Sequence, residues 1–129
     1  MKLIYKIWLN MEGDKAFGEG PYKLLKGVQQ TGSLREAASS LGMAYSKARR
    51  VIARSESNLG FALTRKKIGG VSGGGSEVTD DAVRLMSAYE GLRSEIQHVI
   101  GKVYRKHLGE SVEVEFYRTV ARKRGEKKA

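Results

Sequence analysis

The chain contains no cysteine, which excludes disulfide bonds, thiolate catalysis and metal or iron–sulfur sites with cysteine ligands. A chain without cysteine suits a reducing compartment, so we expect a cytoplasmic protein. It also has no long uninterrupted apolar run. Lys2 and Lys6 break the opening stretch MKLIYKIWLN, so it lacks the apolar core of an export signal. No later segment approaches a membrane span, and we expect no membrane partner.

Acidic residues are scarce relative to basic ones, 14 against 24 in 129 residues, and the formal net charge is +10. The excess is concentrated in residues 43–67, where Glu56 is the one acid, and in the tail at 118–128. The basic residues of the first segment are Lys47, Arg49, Arg50, Arg54, Arg65, Lys66 and Lys67. A local positive field indicates a polyanionic partner. The longest helical pattern has no basic excess, so nucleic acid is favoured over a membrane surface.

Residues that carry catalytic or metal-binding chemistry are few. The two histidines, His98 and His107, are nine positions apart and cannot form the i, i+4 pair of a helical metal site. No Ser–His–Asp or Cys–His set is evident. Asp80 and Asp81 are adjacent and point about 100° apart on a helix, which favours capping over an acid/base pair. We therefore expect no enzyme activity, no metal and no cofactor.

The first part of the chain predicts one strand and two helices. Residues 3–9 alternate in a period of two, which predicts a strand with one face buried. A first helix starts at Pro21 and stops at Gly32. Its apolar face is Tyr22, Leu24, Leu25 and Val28. Ser33 and Glu36 form a capping box for a short second helix that ends at Gly42.

A third helix follows after a tight turn and ends at Gly60. Its apolar side is Ala48, Val51, Ile52, Ser55 and Leu59. The free face and its flanks contain Ser46, Lys47, Arg49, Arg50, Ala53, Arg54 and Ser57. Two helices joined by so tight a turn, the second with a basic free face, predict a helix-turn-helix.

The stretch GGVSGGGS at 69–76 has five glycines in eight positions and lies between two strand-like runs at 62–66 and 77–79. We interpret it as the loop of a β-hairpin, the wing of a winged helix, with the opening strand as the third strand of its sheet. Two alternatives stay open. A linker between two domains is disfavoured because the residues before the glycines contain no obvious partner strand for the opening strand. A phosphate-binding loop is disfavoured because the lysine of the GKS or GKT motif is missing.

A long helix capped by Thr79 is expected over about 79–108, because apolar residues recur there at spacings of three and four. We expect it to dimerise through Leu85, Tyr89, Leu92, Ile96, Val99 and Val103. A wholly intramolecular core helix is the alternative. We assign residues 1–110 to one DNA-binding domain that includes this helix. Residues 111–129 are a short strand-like segment and a basic, disordered tail.

Together these motifs resemble the N-terminal winged-helix domain of ModE-type molybdate-responsive transcription regulators, relatives of the LysR-type DNA-binding domain. TGSLREAA, LGMAYSKA and GG..GGGS.VT carry the resemblance, which covers roughly residues 3–97. It implies a mainly α fold with a small β-sheet, a winged helix-turn-helix with a long C-terminal dimerisation helix. Ala44 and Arg49 depart from the family's usual serine and tryptophan. The family's molybdate-binding module follows the last helix, and we expect no molybdate site in this chain.

The resemblance implies a homodimer that binds double-stranded DNA through the third helix and the wing. We expect Tyr45 and Ser46 to read bases. We expect Lys47, Arg49, Arg50 and Arg54 to divide between bases and phosphates, and Arg65, Lys66 and Lys67 to touch the backbone or minor groove. One alternative is a protein-interaction or nucleoid-type module with little sequence specificity. RNA binding is disfavoured because an interleaved aromatic surface is missing.

Overall fold

The computed structural model describes residues 1–68, 75–109 and 113–116. Its elements are β1 (Lys2–Tyr5), β2 (Trp8–Met11), β3 (Asp14–Gly18), α1 (Glu19–Thr31), α2 (Leu34–Ser40), α3 (Tyr45–Leu59), β4 (Thr64–Lys66), β5 (Ser76–Val78), α4 (Asp80–Leu108) and β6 (Glu113–Phe116). Four helices and three two-stranded sheets make the described part mainly α, which confirms the coarse fold class. The predicted tip of the glycine loop (69–74) and the basic tail (117–129) lie outside these residues.

The opening segment forms two strands where one was predicted. Strand β2 pairs antiparallel with β3, and the turn between them is Glu12–Gly13, with φ of 51° and 83°. Positive φ at both residues of a two-residue loop is typical of the hairpin turn whose twist matches that of the paired strands. No strand was predicted between residue 9 and Pro21, so β3 was missed.

Strand β1 pairs in parallel with β6, so that Lys2 lies opposite Glu113 and Tyr5 opposite Phe116. The expectation that the opening strand completes the sheet around the glycine loop is therefore wrong. Within the described ranges, β4 and β5 pair only with each other. Residues Glu113–Phe116, after the long helix, form β6, which pairs with the start of the same chain.

Helices α1, α2 and α3 begin and end close to the predicted positions. Gly32 and Gly60 stop α1 and α3 in the left-handed conformation, with φ of 73° and 83°. Ser33 Oγ accepts the Glu36 amide at 3.1 Å. The Ser33 amide donates to Thr31 Oγ1 at 3.2 Å, so Glu36 does not make the returning half of the capping box. Ala44 leaves the start of α3 without a side-chain cap.

The core lies between the inner faces of α1, α2 and α3 and the first half of α4. Its fully buried large side chains include Phe17, Leu24, Leu25, Val28, Leu63 and Tyr89. Helices α1 and α2 cross closely, since a Cβ added to Gly27 would lie 2.5 Å from the Ala37 Cβ. Small residues at this crossing let two short helices share one apolar interior.

The β4–β5 pair is attached to the helical core at its base. The Ser76 amide donates to the Gly32 carbonyl at 2.8 Å, which joins β5 to the end of α1. Thr79 donates twice to the segment before β4, from its amide to the Leu63 oxygen (3.0 Å) and from Oγ1 to the Ala62 oxygen (2.7 Å). These bonds fix the position of the pair relative to α1 and α3.

Helix α4 contains 29 residues and is capped by Thr79, whose hydroxyl accepts the Ala82 amide at 3.2 Å. Its first half packs into the core through Ala82, Met86 and Tyr89. Next to this contact, Arg93 Nη1 pairs with Glu19 Oε1 at 2.9 Å, and both side chains are largely buried. No helix in the described segments is both long and apolar enough to span a membrane.

Candidate nucleic-acid interface

Helix α3 has one buried side and one basic side. Ala48, Ile52 and Ser55 are buried, and Val51 and Leu59 are half-buried. The side chains at the predicted free positions are exposed: Ser46, Lys47, Arg49, Arg50, Ala53, Arg54 and Ser57. The helical periodicity of the sequence therefore gave the orientation of α3 correctly, and its basic side faces solvent.

Tyr45, at the start of α3, has two arginine side chains close to its ring. The Arg35 guanidinium carbon is 4.0 Å from the centre of the Tyr45 ring, and that of Arg49 is 5.9 Å away. Both are within the range of a cation–π contact. Arg35 belongs to α2 and was not among the predicted site residues, because its proximity to Tyr45 depends on how α2 and α3 pack.

The start of α3 and the β4–β5 pair border one concave surface, which we call the Tyr45 groove. It has a volume of about 390 Å³ and is lined by Ser33, Leu34, Arg35, Tyr45, Lys66, Lys67, Gly75 and Ser76. Tyr45 and Lys66, which are 21 positions apart in the chain, thus share one surface. Its charged side chains are all basic: Arg35, Lys66 and Lys67.

A second, shallower groove of about 520 Å³ runs beside the exposed side of α3. Ser46, Arg49, Arg50 and Ala53 line it from α3, with Thr64 at the start of β4. Glu56 also borders this groove, but its Oε2 accepts the Leu63 amide at 2.7 Å. That carboxylate therefore connects α3 to the segment before β4.

Two of the predicted DNA-binding arginines have acidic partners. Arg54 Nη2 lies 2.5 Å from Asp14 Oδ1, and Arg65 Nε lies 2.7 Å from Glu77 Oε1 across the β4–β5 pair. The Arg54 hydrogen bond holds the pKa of Asp14 below its usual range, and the bond to Glu77 raises that of Arg65. In the part of the chain that the structure describes, the other predicted basic residues make no ion pair: Lys47, Arg49, Arg50, Lys66 and Lys67. Those five cations remain available to an anionic partner.

The predicted dimerisation residues of α4 occupy different environments. Tyr89 is 1 % exposed in the chain's own core, where its ring meets Phe17 edge-on at 5.3 Å. Leu85 and Ile96 are half-buried. Leu92, Val99 and Val103 are 40 %, 57 % and 52 % exposed. Tyr89 is thus part of the intramolecular core, and these three exposed residues form what we call the α4 stripe.

No protein-family model matches the chain. It is similar to a protein of Herbaspirillum seropedicae named molybdenum transport protein ModE, with 33 % identity over 72 residues. The similar stretch covers 56 % of this chain and 27 % of that protein, so the chain spans about a quarter of its relative's length. The relative is therefore named as a ModE protein, the type that the sequence motifs resemble.

Proposed function

We propose that this chain is a transcription regulator without enzymatic activity that binds double-stranded DNA in a sequence-specific manner. The observation that carries the proposal is the solvent-facing basic side of α3, which continues into the Tyr45 groove beside Lys66 and Lys67. The similarity to a ModE protein supports it.

The chemistry of the exposed side of α3 suits the major groove, which admits an α-helix. Arg49 and Arg50 carry the planar fork that can bind guanine O6 and N7, and the Ser46 hydroxyl can donate or accept. Lys66 and Lys67 present compact charges that suit phosphates. We therefore assign base contacts to the start of α3 and backbone or minor-groove contacts to the β4–β5 pair.

A homodimer is the second part of the proposal. The α4 stripe places Leu92, Val99 and Val103 on one side of a long helix, at spacings of seven and four. Such spacing allows two α4 helices to pack along a shared apolar seam. In a twofold pair, the two α3 helices would meet half-sites about 34 Å apart, one turn of DNA.

The test is selection of duplexes from a random library by the purified protein, followed by affinity measurements over a range of salt concentrations. We expect an enriched inverted repeat. If each subunit neutralises about four phosphates, the slope of log K against log salt should be roughly −7 for the dimer. Arg50→Ala should cost about 1 to 3 kcal/mol and relax the sequence preference at one position.

A control variant is Lys102→Ala, which removes an exposed charge from α4 away from both grooves. It should keep both the affinity and the preferred sequence. Enrichment of no sequence, together with weak binding that Arg50→Ala leaves unchanged, would refute the proposal. A nucleoid-type or protein-interaction module of the same fold would then explain the chain better.

A further inference from the structure

Arg35 of α2 is an exposed cation that was not predicted as a site residue. Its guanidinium carbon lies over the half-buried ring of Tyr45, 4.0 Å from the ring centre, which is closer than the 5.9 Å of Arg49. A cation–π contact of this kind needs no carboxylate. In the ranges that the structure describes, Arg35 makes no ion pair. The Tyr45 ring thus holds a guanidinium whose charge has no acidic partner there.

The Tyr45 groove, which Arg35 lines, has no carboxylate among its described lining residues. Glu36 follows Arg35 in the chain but does not line the groove. Glu77 of the neighbouring strand β5 is bonded to Arg65 at 2.7 Å. The charged side chains of the groove are one arginine and two lysines, Arg35, Lys66 and Lys67. Cations that converge without an acid attract an anion.

The two sides of the groove are joined close to Arg35. The Ser76 amide donates to the Gly32 carbonyl at 2.8 Å, and the Lys67 amide donates to the Gly75 carbonyl at 3.0 Å. Gly75 itself lies close to the turn before α2, since a Cβ there would be 3.0 Å from the Gly32 oxygen. Arg35 follows Gly32 by three positions. The backbone that carries Lys67 therefore keeps a fixed position relative to α2.

The Tyr45 groove is continuous with the shallower groove beside α3. Leu34 lines both of them. Arg49 lines the second groove and also lies near the Tyr45 ring, which borders the first. A ligand that runs along the exposed side of α3 therefore reaches Arg35 as well.

We propose that Arg35 binds a backbone phosphate of DNA in the Tyr45 groove, together with Lys66 and Lys67. Tyr45 is the positioning residue that holds the Arg35 guanidinium there. The inference rests on the proposed function, with α3 in the major groove. The planar fork of arginine matches the oxygens of a phosphate, and a guanidinium already held on a ring loses less freedom on binding. The contact adds affinity and fixes the register of the protein on the duplex without reading sequence.

Tyr45 therefore acts through Arg35 in this proposal, whereas the sequence predicts that Tyr45 reads a base. The two roles differ in what they require of the side chain. Holding a guanidinium requires the aromatic ring, while a hydrogen bond to a base edge requires the phenolic hydroxyl. Variants that remove the ring or the hydroxyl therefore distinguish them.

The first test is Arg35→Gln, which removes the charge and keeps a good helix former at an exposed position. In anisotropy titrations with a duplex selected by the wild-type protein, this variant should bind several-fold more weakly. The steepness of log K against log salt should fall by about 0.9 per subunit. A repeated selection should give the same preferred sequence, because a phosphate contact carries no sequence information.

The matched control is Arg105→Gln, which removes an exposed arginine from α4 outside both grooves. It should keep the wild-type affinity and slope. Circular dichroism establishes that each variant is folded.

The second test is a double-mutant cycle between Arg35 and Tyr45. Tyr45→Leu removes the ring and should weaken binding in the wild-type background. In the Arg35→Gln background it should have little further effect, because the two residues act as one unit. Tyr45→Phe keeps the ring and should restore the slope that Tyr45→Leu loses. If Tyr45→Leu does not fold, the comparison of Arg35→Gln with Arg105→Gln still decides the phosphate contact.

The outcomes separate this inference from the proposed function. If the wild-type protein does not bind duplex DNA at all, both proposals fail. If it binds and Arg35→Gln keeps its affinity and slope, the Arg35 contact is refuted and the proposed function stands. A changed sequence preference in Arg35→Gln would mean that Arg35 reads a base, which overturns the phosphate contact. Additive effects of Arg35→Gln and Tyr45→Leu would refute the positioning role of Tyr45.

Discussion

Arg54 of α3 and Asp14 of β3 form an ion pair with a nitrogen–oxygen distance of 2.5 Å, although 40 positions separate them in the chain. Both side chains are more than half exposed, so the pair contributes little to the stability of the fold. Its effect is on the position of the β2–β3 hairpin relative to α3. Arg54, which the sequence predicts to bind DNA, also holds the β2–β3 hairpin to α3.

We predict that Asp14→Asn strengthens DNA binding. The change removes a negative charge beside α3 and releases Arg54 for a phosphate, so the slope of log K against log salt should steepen by about 0.9 per subunit. Anisotropy titrations over a range of salt concentrations measure this. Asp81→Asn, which removes the partner of Arg84 on α4, should leave binding unchanged. Weaker binding by Asp14→Asn would mean that DNA binding depends on the ion pair itself.

We predict opposite effects of alanine at two helical glycines. A Cβ at Gly27 would lie 2.5 Å from the Ala37 Cβ and 3.0 Å from its Cα, so α1 and α2 would have to separate. Gly27→Ala should lower the free energy of unfolding by about 1 to 2 kcal/mol, after the helix preference of alanine is included. A Cβ at Gly91 meets nothing within 4 Å, so Gly91→Ala should raise the free energy of unfolding by about 0.5 to 1 kcal/mol. Denaturant titrations of the two variants measure both values, and equal effects would contradict the close crossing.

We predict that the protein loses stability at alkaline pH through Tyr22. Burial and the hydrogen bond to Glu90 raise the pKa of Tyr22 from 10.0 to about 12. The folded chain therefore holds this proton more tightly than the unfolded chain. The resulting stability is complete below pH 10.0 and is lost as pH rises toward about 12. Melting temperatures from pH 8 upward should fall less steeply in Tyr22→Phe, and an identical fall in both proteins would disprove the assignment.

We predict that charge on the α4 stripe prevents self-association. Leu92→Glu and Val99→Glu would bury carboxylates in the proposed seam, which is strongly unfavourable. Sedimentation velocity should show a dimer for the wild-type protein and a monomer for either variant. Val83→Glu is the control, because Val83 is also exposed but lies nine positions before Leu92, on the opposite side of the helix. A wild-type monomer would rule out this use of the stripe.

Local signals in the sequence were sufficient to predict the helices. Gly32, Ser33 and Gly60 stand at the ends of α1, α2 and α3 as predicted, because capping depends on a few neighbouring residues. The β2–β3 hairpin was missed because its turn places a glutamate, Glu12, at positive φ, a conformation that non-glycine residues rarely adopt. The pairing of β1 with β6 joins the two ends of the described chain, and no local pattern shows it.

The candidate site was predictable to a similar extent. The helical repeat of apolar residues in the α3 sequence correctly predicted which side of the helix is exposed, including Arg49 and Arg50. Which cations have acidic partners could not be read from the sequence, because Arg54 meets Asp14 only after the hairpin packs on α3. The contact between Arg35 and Tyr45 depends in the same way on the packing of two helices.

Helix α1 connects α4 to the β4–β5 pair. At one end Glu19 binds Tyr89 and Arg93 of α4, and at the other the Gly32 carbonyl accepts the Ser76 amide of β5. A helix of 13 residues is a stiff rod about 20 Å long. A change in the tilt of α4 relative to α1 would therefore also change the position of β5. The two ends of α1, one bonded to α4 and the other to β5, therefore cannot move independently of each other while the helix is intact.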